Sequence, residues 1–476
     1  MRKSIGIGAC ALIAALAACQ DSSSVAPSPR MAVTRGATPN GFVTSQTPQA
    51  YPVVPSATVF PILTVGDSLD NGFRWAPTPD GLGAYQNGGN LIVFANHELT
   101  SGGVGAVGGG AKYKFARVSR LVLDIATLAV RDASYVVDST AQYQRLCSAT
   151  WADAAAGLPG GYFLTGEETV GALHDGIQVA VGRDGSVHEL PWLGRFNHEN
   201  EIAIPGFPGR VVLAGFDDTR GASELYLYVA TNEAAVLAGT GKLYVFTSSG
   251  AARSGDLTEG QSIQGSFAEV PGAAALSSSQ LQTTVNGLGA FPFVRLEDGD
   301  YDHRPGQHAP AIYFVDTGAE AVKCGLVSCD PHGSIYRMEF NASNPTTGAR
   351  LTLLLRSRGA DQEWASPDNV AAGKNSLMVM EDPAYSGFVR APRIYNFHSD
   401  ATGGFQNRGV AVVELPNPEC SDALGTCWES SGIIDASTWL GSGTWLFDTQ
   451  AHTLPVPSLG LTGESGQLLL LRLPGS

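Results

Sequence analysis

Six apolar runs recur along the chain, each with an acidic residue at or near its end. They are NLIVFANHE ending at Glu98, YFLTGEE at Glu168, RVVLAGFDD at Asp218, AIYFVDTG with Asp316, LMVMEDP with Glu381 and Asp382, and TWLFDTQAH with Asp448. Their short length and their β-branched and aromatic content predict strands. Five further runs follow several of them, RVSRLVLD, IQVAV, ELYLYV, SIYRMEF and RIYNF, as antiparallel partners would. Such units cannot bury both faces alone. Repeated around a channel, with each innermost strand running the same way, they form a β-propeller that gathers the strand-end groups at one mouth. A β-sandwich would scatter those ends over two rims. The spacing is irregular, which requires inserted loops, and no linker divides residues 46–476. With 58 glycines and 27 prolines to make the turns, the expectation is all-β: one six-bladed propeller domain with inserted loops.

The N-terminus reads differently. Arg2 and Lys3 precede an apolar run too short to span a bilayer, which ends in Leu16-Ala17-Ala18-Cys19. That ending resembles a bacterial lipobox, so residues 1–18 are expected to be a lipoprotein signal peptide and Cys19 the lipid attachment site. Residues 19–45, rich in Ser, Pro, Thr and Gly, read as a flexible tether. The expected protein is an exported bacterial lipoprotein held to the cell envelope, at the outer membrane or cell surface. Its membrane contact is through the lipid alone, and it is a monomer. Export makes disulfides available. Cys10 leaves with the signal, and Cys324 with Cys329 and Cys420 with Cys427 lie close enough to staple two loops. Cys147 is left over, either inaccessible or occupied.

A formal net charge of −15 argues against nucleic acid or an anionic membrane surface as a partner and favours cations. A lone thiol near strand-end acids suits a metal centre. Calcium takes oxygen ligands only, so a thiolate would bring in a softer transition metal. Strand alternation puts Asn96 with Glu98 and Arg295 with Glu297. GRFNHENE adds His198, Glu199 and Glu201, and WASPDNVA adds Asp368 and Asn369. Singly, each is as well explained as a solvated turn acid. Which of Glu167 and Glu168 faces the site stays open, because alternation fails at a strand end.

Taken in order, Asn96-His97-Glu98, Cys147 with LTGEE, GRFNHE, Asp217-Asp218 before LYLYV, Arg295 with Glu297, and SPDN at 366–369 resemble the PhoX-type alkaline phosphatases. These are exported β-propeller enzymes that hydrolyse phosphomonoesters at a mixed iron and calcium centre. The resemblance implies Ca2+ and Fe3+ as cofactors and a small-molecule phosphomonoester as substrate. It makes Cys147 and Glu199 iron ligands, Glu98, Glu168 and Glu297 carboxylates shared among the metals, and Asp368 a further ligand. Asn96 and Arg295 would hold the phosphoryl oxygens. The chain departs from the family in its lipobox, where a twin-arginine signal is usual, and in Gly166, where the family commonly places a cysteine. The alternatives are a non-catalytic, calcium-stabilised binding propeller or another propeller hydrolase, such as a phosphodiesterase, a phytase-like enzyme or a lactonase.

Overall fold

A computed structural model describes residues 41–105, 110–221, 223–306, 309–319, 330–383, 388, 390–417, 420 and 427–475. Cys19 and the signal lie outside these residues, as do Cys324 and Cys329. Among the described residues, no helix is long and apolar enough to cross a membrane.

The fold is an all-β propeller of antiparallel meanders, here called units A to F. Their second strands are Asn90–His97, Tyr162–Glu167, Val211–Asp217, Ala311–Asp316, Ser376–Glu381 and Thr444–Ala451. These are the six apolar runs. They are buried almost throughout, because each sheet is packed on both faces by its neighbours, so the side chains on both sides must be apolar. The follow-on runs are third strands: Arg117–Asp124, Gln178–Gly182, Leu225–Ala230, Ser334–Glu339 and Arg393–His398.

The first strand of each unit was not evident in the hydrophobic pattern. These strands are Pro79–Asn87, Leu146–Ala152, His198–Ala203, Leu296–Tyr301, Pro367–Ala372 and Glu429–Asp435. They pack side by side in that order, and the last returns to the first, so together they line one central channel. Sequences such as HENEIA and LEDGDY are buried yet polar, because their side chains face one another across the channel instead of an apolar layer.

Two devices complete the ring. The N-terminal strand Thr58–Thr64 pairs with Ser465–Arg472, so the beginning of the domain forms the outer strand of its last unit. Ser262–Glu269 pairs with both Lys242–Ser248 and Ala349–Arg356, which joins units C and D at their outer edges into one nine-stranded sheet. Residues 41–45, assigned to the tether from sequence, are instead docked on the domain. Phe42 exchanges backbone hydrogen bonds with Val130, and Thr44 bonds Ile62 and Thr64.

Gly81, in the first strand of unit A, shows how tightly the channel strands pack. A Cβ there would lie 2.4 Å from the backbone of Ser148 and Ala149. Gly81→Ala is therefore expected to destabilise the domain by about 1–3 kcal/mol, the usual range for overpacking. Urea unfolding would show this as a lower midpoint with an unchanged slope.

Candidate metal centre

The mouth of the channel is built by one local device used repeatedly. At the start of five first strands, two residues face a single residue of the second strand. The bulged pairs are Asp80-Gly81, Cys147-Ser148, Glu199-Asn200, Glu297-Asp298 and Asp368-Asn369, opposite Asn96, Gly166, Phe216, Val315 and Met380. A bulge of this kind re-aims a side chain that regular pleating would send elsewhere. Two residues before the bulge, Thr78, Arg145, Arg295 and Ser366 adopt left-handed backbone conformations, with φ of 50°, 48°, 58° and 46°. Their carbonyls accept from the backbone N–H groups of Glu98, Glu168, Thr317 and Asp382, at 2.9, 2.9, 3.0 and 3.1 Å. In unit C, Asn197 accepts from Asp218 in the same way, at 3.0 Å. This bond ties the end of each second strand to the start of the first, which is why the strand-end acids and the bulge residues reach the same mouth. Unit F departs: Glu429 opens its strand, and the register shift lies further along, at Gly432.

The side chains converge. Asp80, Glu98 and Cys147 form one triad whose ligand atoms all lie within 4.8 Å of one another, and Cys147, Glu168 and Glu199 form a second. Glu199, Glu297 and Asp368 form a third. The triads share Cys147 and Glu199, so they run as a continuous band around the wall. All six residues expected as metal ligands, Glu98, Cys147, Glu168, Glu199, Glu297 and Asp368, belong to it. Of the adjacent glutamates, Glu168 lies in the band and pairs with Arg145 at 2.6 Å, whereas Glu167 accepts from the backbone of Gln144 at 2.8 Å. Cys147 is a free thiol and Cys420 is bonded to Cys427.

Burial, reinforced by neighbouring negative charge, holds Asp80, Glu199, Glu297 and Asp368 well above the usual carboxylate range and pushes the Cys147 thiol up. Glu168 is raised by burial as well, although Arg145 opposes the shift. Glu199 Oε1 is buried without a hydrogen-bond partner. A thiol ringed by acids that are reluctant to ionise, one with an unpartnered oxygen, is a donor set that fits cations of two kinds. A cation would replace the protons and supply the missing partner.

Two guanidinium groups face the acids. Arg295 bonds Asp218 through Nε and Nη2, both at 2.8 Å, and its Nη2 lies 3.0 Å from Glu297. Arg145 bonds Glu98 at 2.7 Å. Below them, Asn369 donates to Ser148 Oγ at 3.1 Å, from unit E to unit B, and Asn200 donates to Asp298, forming the floor. Asn96 is not at the open mouth. It is fully buried, and its amide donates to the Cys147 carbonyl at 2.6 Å and to Thr165 Oγ1 at 2.8 Å, so it fixes the strand that carries the thiol. Gly166 has no room for a side chain, because a Cβ would lie 2.4 Å from that of His198. Other strand-end acids are turned away: Glu381 is held by Arg390 and Asp316 by the Tyr336 hydroxyl.

Asp80, Arg145, Glu429 and Gln450 were missed from sequence. Gln450 donates to Asp80 and Glu98, both at 3.2 Å. A signal for Asp80 was present: Thr78-Pro79-Asp80-Gly81 repeats the pattern of Ser366-Pro367-Asp368-Asn369, and both open a first strand.

The family model for alkaline phosphatase PhoX matches residues 183–433. Among solved structures, Pseudomonas fluorescens PhoX in complex with vanadate, a transition state analogue, superposes with a TM-score of 0.60 at 14% identity, covering 88% of this chain and 95% of that one. That match supports the propeller fold. A Trypanosoma rangeli sialidase in complex with sialic acid gives a TM-score of 0.39 at 10% identity, over 89% of this chain and 60% of that one. A thermostable family-43 glycoside hydrolase gives 0.35 at 9%, over 84% and 93%. No curated protein matches the chain significantly.

Burial pushes Asp298 and Glu224 up to about 7. An acid whose pKa is higher folded than unfolded holds its proton better in the folded state. The stability it contributes is present at low pH and is lost as the pH rises from about 4 through about 7. Chelator-treated protein is therefore expected to melt at lower temperature at about pH 8 than at about pH 5. Calcium should recover more of the loss at the higher pH, where the ligands have given up their protons. Scanning calorimetry with and without calcium tests this, and a melting temperature that rises with pH in chelator would contradict it.

Proposed function

The chain belongs to the alkaline phosphatase PhoX family, and we propose that it hydrolyses small phosphomonoesters at a centre holding iron and calcium in the channel mouth. The observation that carries this reading is the continuous band of three triads around Cys147, with Arg295 beside it. Cys147 and Glu199 would hold iron, and Glu98, Glu168, Glu297 and Asp368, joined by Asp80, would complete the set for iron and calcium. When bound, those ions supply Lewis acidity and offset the negative charge that builds on the transferred group. The protein's own part is positioning. Asp218 and Glu297 lock the Arg295 fork by its Nε and Nη2, leaving Nη1 to meet a phosphoryl oxygen without reorganisation. Asn96 serves this site indirectly, by fixing the strand of Cys147.

We also propose that the domain is exported and anchored through a lipid on Cys19, on the strength of the Leu16–Cys19 motif. A monomer is supported by a ring that closes with its own N-terminal strand.

Turnover of an aryl phosphate at alkaline pH, with calcium and iron supplied, tests the proposal. Arg295→Lys should lose about 2–4 kcal/mol of transition-state stabilisation, as for removal of one preorganised donor, because a point charge cannot replace a planar fork. Cys147→Ser should keep calcium but lose iron, as elemental analysis of the purified variant would report, since a hydroxyl is a poor ligand for the softer metal. A parent protein inactive under every metal condition would instead favour the non-catalytic binder.

A further inference from the structure

Arg145 and Arg295 occupy the same place in two different units. Each lies two residues before a bulge residue of the band, Cys147 for one and Glu297 for the other, and each has a positive φ. Each also gives its carbonyl to the backbone beyond the neighbouring strand. The bend does not require arginine, since Thr78 and Ser366 make it in units A and E. Holding a bulky side chain in this conformation is strained, and strain of this kind clusters where a side chain is needed for function.

The two differ in depth. The Arg295 side chain is 12% exposed and sits in the wall, whereas that of Arg145 is 40% exposed and sits at the rim. Both bear on Glu168: Arg145 pairs with it at 2.6 Å, and the charge of Arg295 also reaches it. Nε and Nη2 of Arg145 are engaged by Glu98 and Glu168, which fixes the plane of the guanidinium and leaves its Nη1 edge available. In a mouth lined with acids, any anionic group arriving from solvent needs such a counter-charge. With the phosphoryl group beside Arg295 in the wall, the remainder of a substrate would lie nearer the rim and Arg145.

We propose that Arg145 reads a second anionic group on the substrate, so that the preferred substrates are phosphomonoesters carrying a carboxylate or another anion next to the ester. This rests on the phosphomonoester reading above and adds the substrate class to it. A fixed guanidinium can bond such a group through a charge-assisted hydrogen bond, which a neutral alcohol in the same place would not engage to the same degree.

The test compares 2-phosphoglycerate with glycerol 2-phosphate, which differ only in a carboxylate beside the same ester carbon. The readout is the ratio of their kcat/KM values, in which any general damage to the site cancels. The parent enzyme should favour the carboxylated ester. Arg145→Gln should lower the ratio about 10- to 100-fold, mainly through KM, the scale expected of one charged hydrogen bond. Arg145→Lys, which keeps the charge, should retain part of it. A ratio unchanged in Arg145→Gln, even with both rates reduced, would overturn the inference and leave Arg145 as a support for Glu98 and Glu168. A parent that disfavours the carboxylated ester would overturn it without any variant. A parent that hydrolyses neither ester nor an aryl phosphate would instead bring down the phosphatase reading itself.

Discussion

Like charge confined to one mouth is the constraint to which the rest of the structure answers. Two ionised carboxylates within 4.8 Å of each other repel by about 3 kcal/mol or more at an effective dielectric constant of about 20. A whole domain has a net stability of about 5–15 kcal/mol. A few fully ionised pairs would therefore exhaust it, before the desolvation of each group is counted. The acids must be protonated, paired with a cation, or both. Arg145 and Arg295 offset part of the charge, and the raised affinity of Asp80, Glu199, Glu297 and Asp368 for protons offsets more. Metal ions meet the same demand without neutralising the ligands, which is why a site so uncomfortable by itself suits them.

Such a site needs a scaffold whose stability lies elsewhere. The second strands provide it, with side chains such as Leu91, Val93, Phe163, Leu213 and Phe314 fully buried between sheets. The first strands add fewer apolar side chains, among them Leu82, Ile202, Leu296 and Val370. They are held by backbone pairing to those second strands and by the repeated hydrogen bond across the bend. Glu381 and Asp316, which do not reach the mouth, are matched locally, Glu381 by Arg390 and the backbone amides of Ala365 and Arg393, Asp316 by the Tyr336 hydroxyl. Those pairs keep strand ends in register without adding to the charge at the centre.

This division of labour decides what could be read from the sequence. The second strands were legible because two-sided burial gives unbroken apolar runs, and the acid after each run marked where it stops. The residues carried over by family resemblance, Cys147, Glu199, Glu297 and Asp368, do assemble. The first strands were not legible, since HENEIA and PDNVAA show neither alternation nor an apolar run; they face a polar channel. Asp80 lay hidden in a segment that reads as a Pro-Asp-Gly turn. Alternation alone placed Asn96 with Glu98, and the backbone does run that way, yet the carbonyl of Cys147, in the bulge of the neighbouring unit, meets its amide. No residue type signals a bulge of that kind, because the extra residue is defined only by pairing with a distant strand.

The repetition of the bend explains how one fold supplies opposite charges at a single place. In units A to E the bulge residue points into the channel, and the residue two before it forms the bend, so each of these units offers one inner position and one outer position at the bend. The inner positions hold acids or the thiol. The outer ones hold small residues in units A and E, Thr78 and Ser366, and arginines in units B and D. The bend depends on the backbone and not on one side chain, since threonine, serine and arginine all make it. Different side chains can thus occupy the bend, and the arginines fall in the units whose inner residues, Cys147 and Glu297, lie in different triads. The positive charge is thereby spread along the band, where an anion approaching either part of it meets one guanidinium.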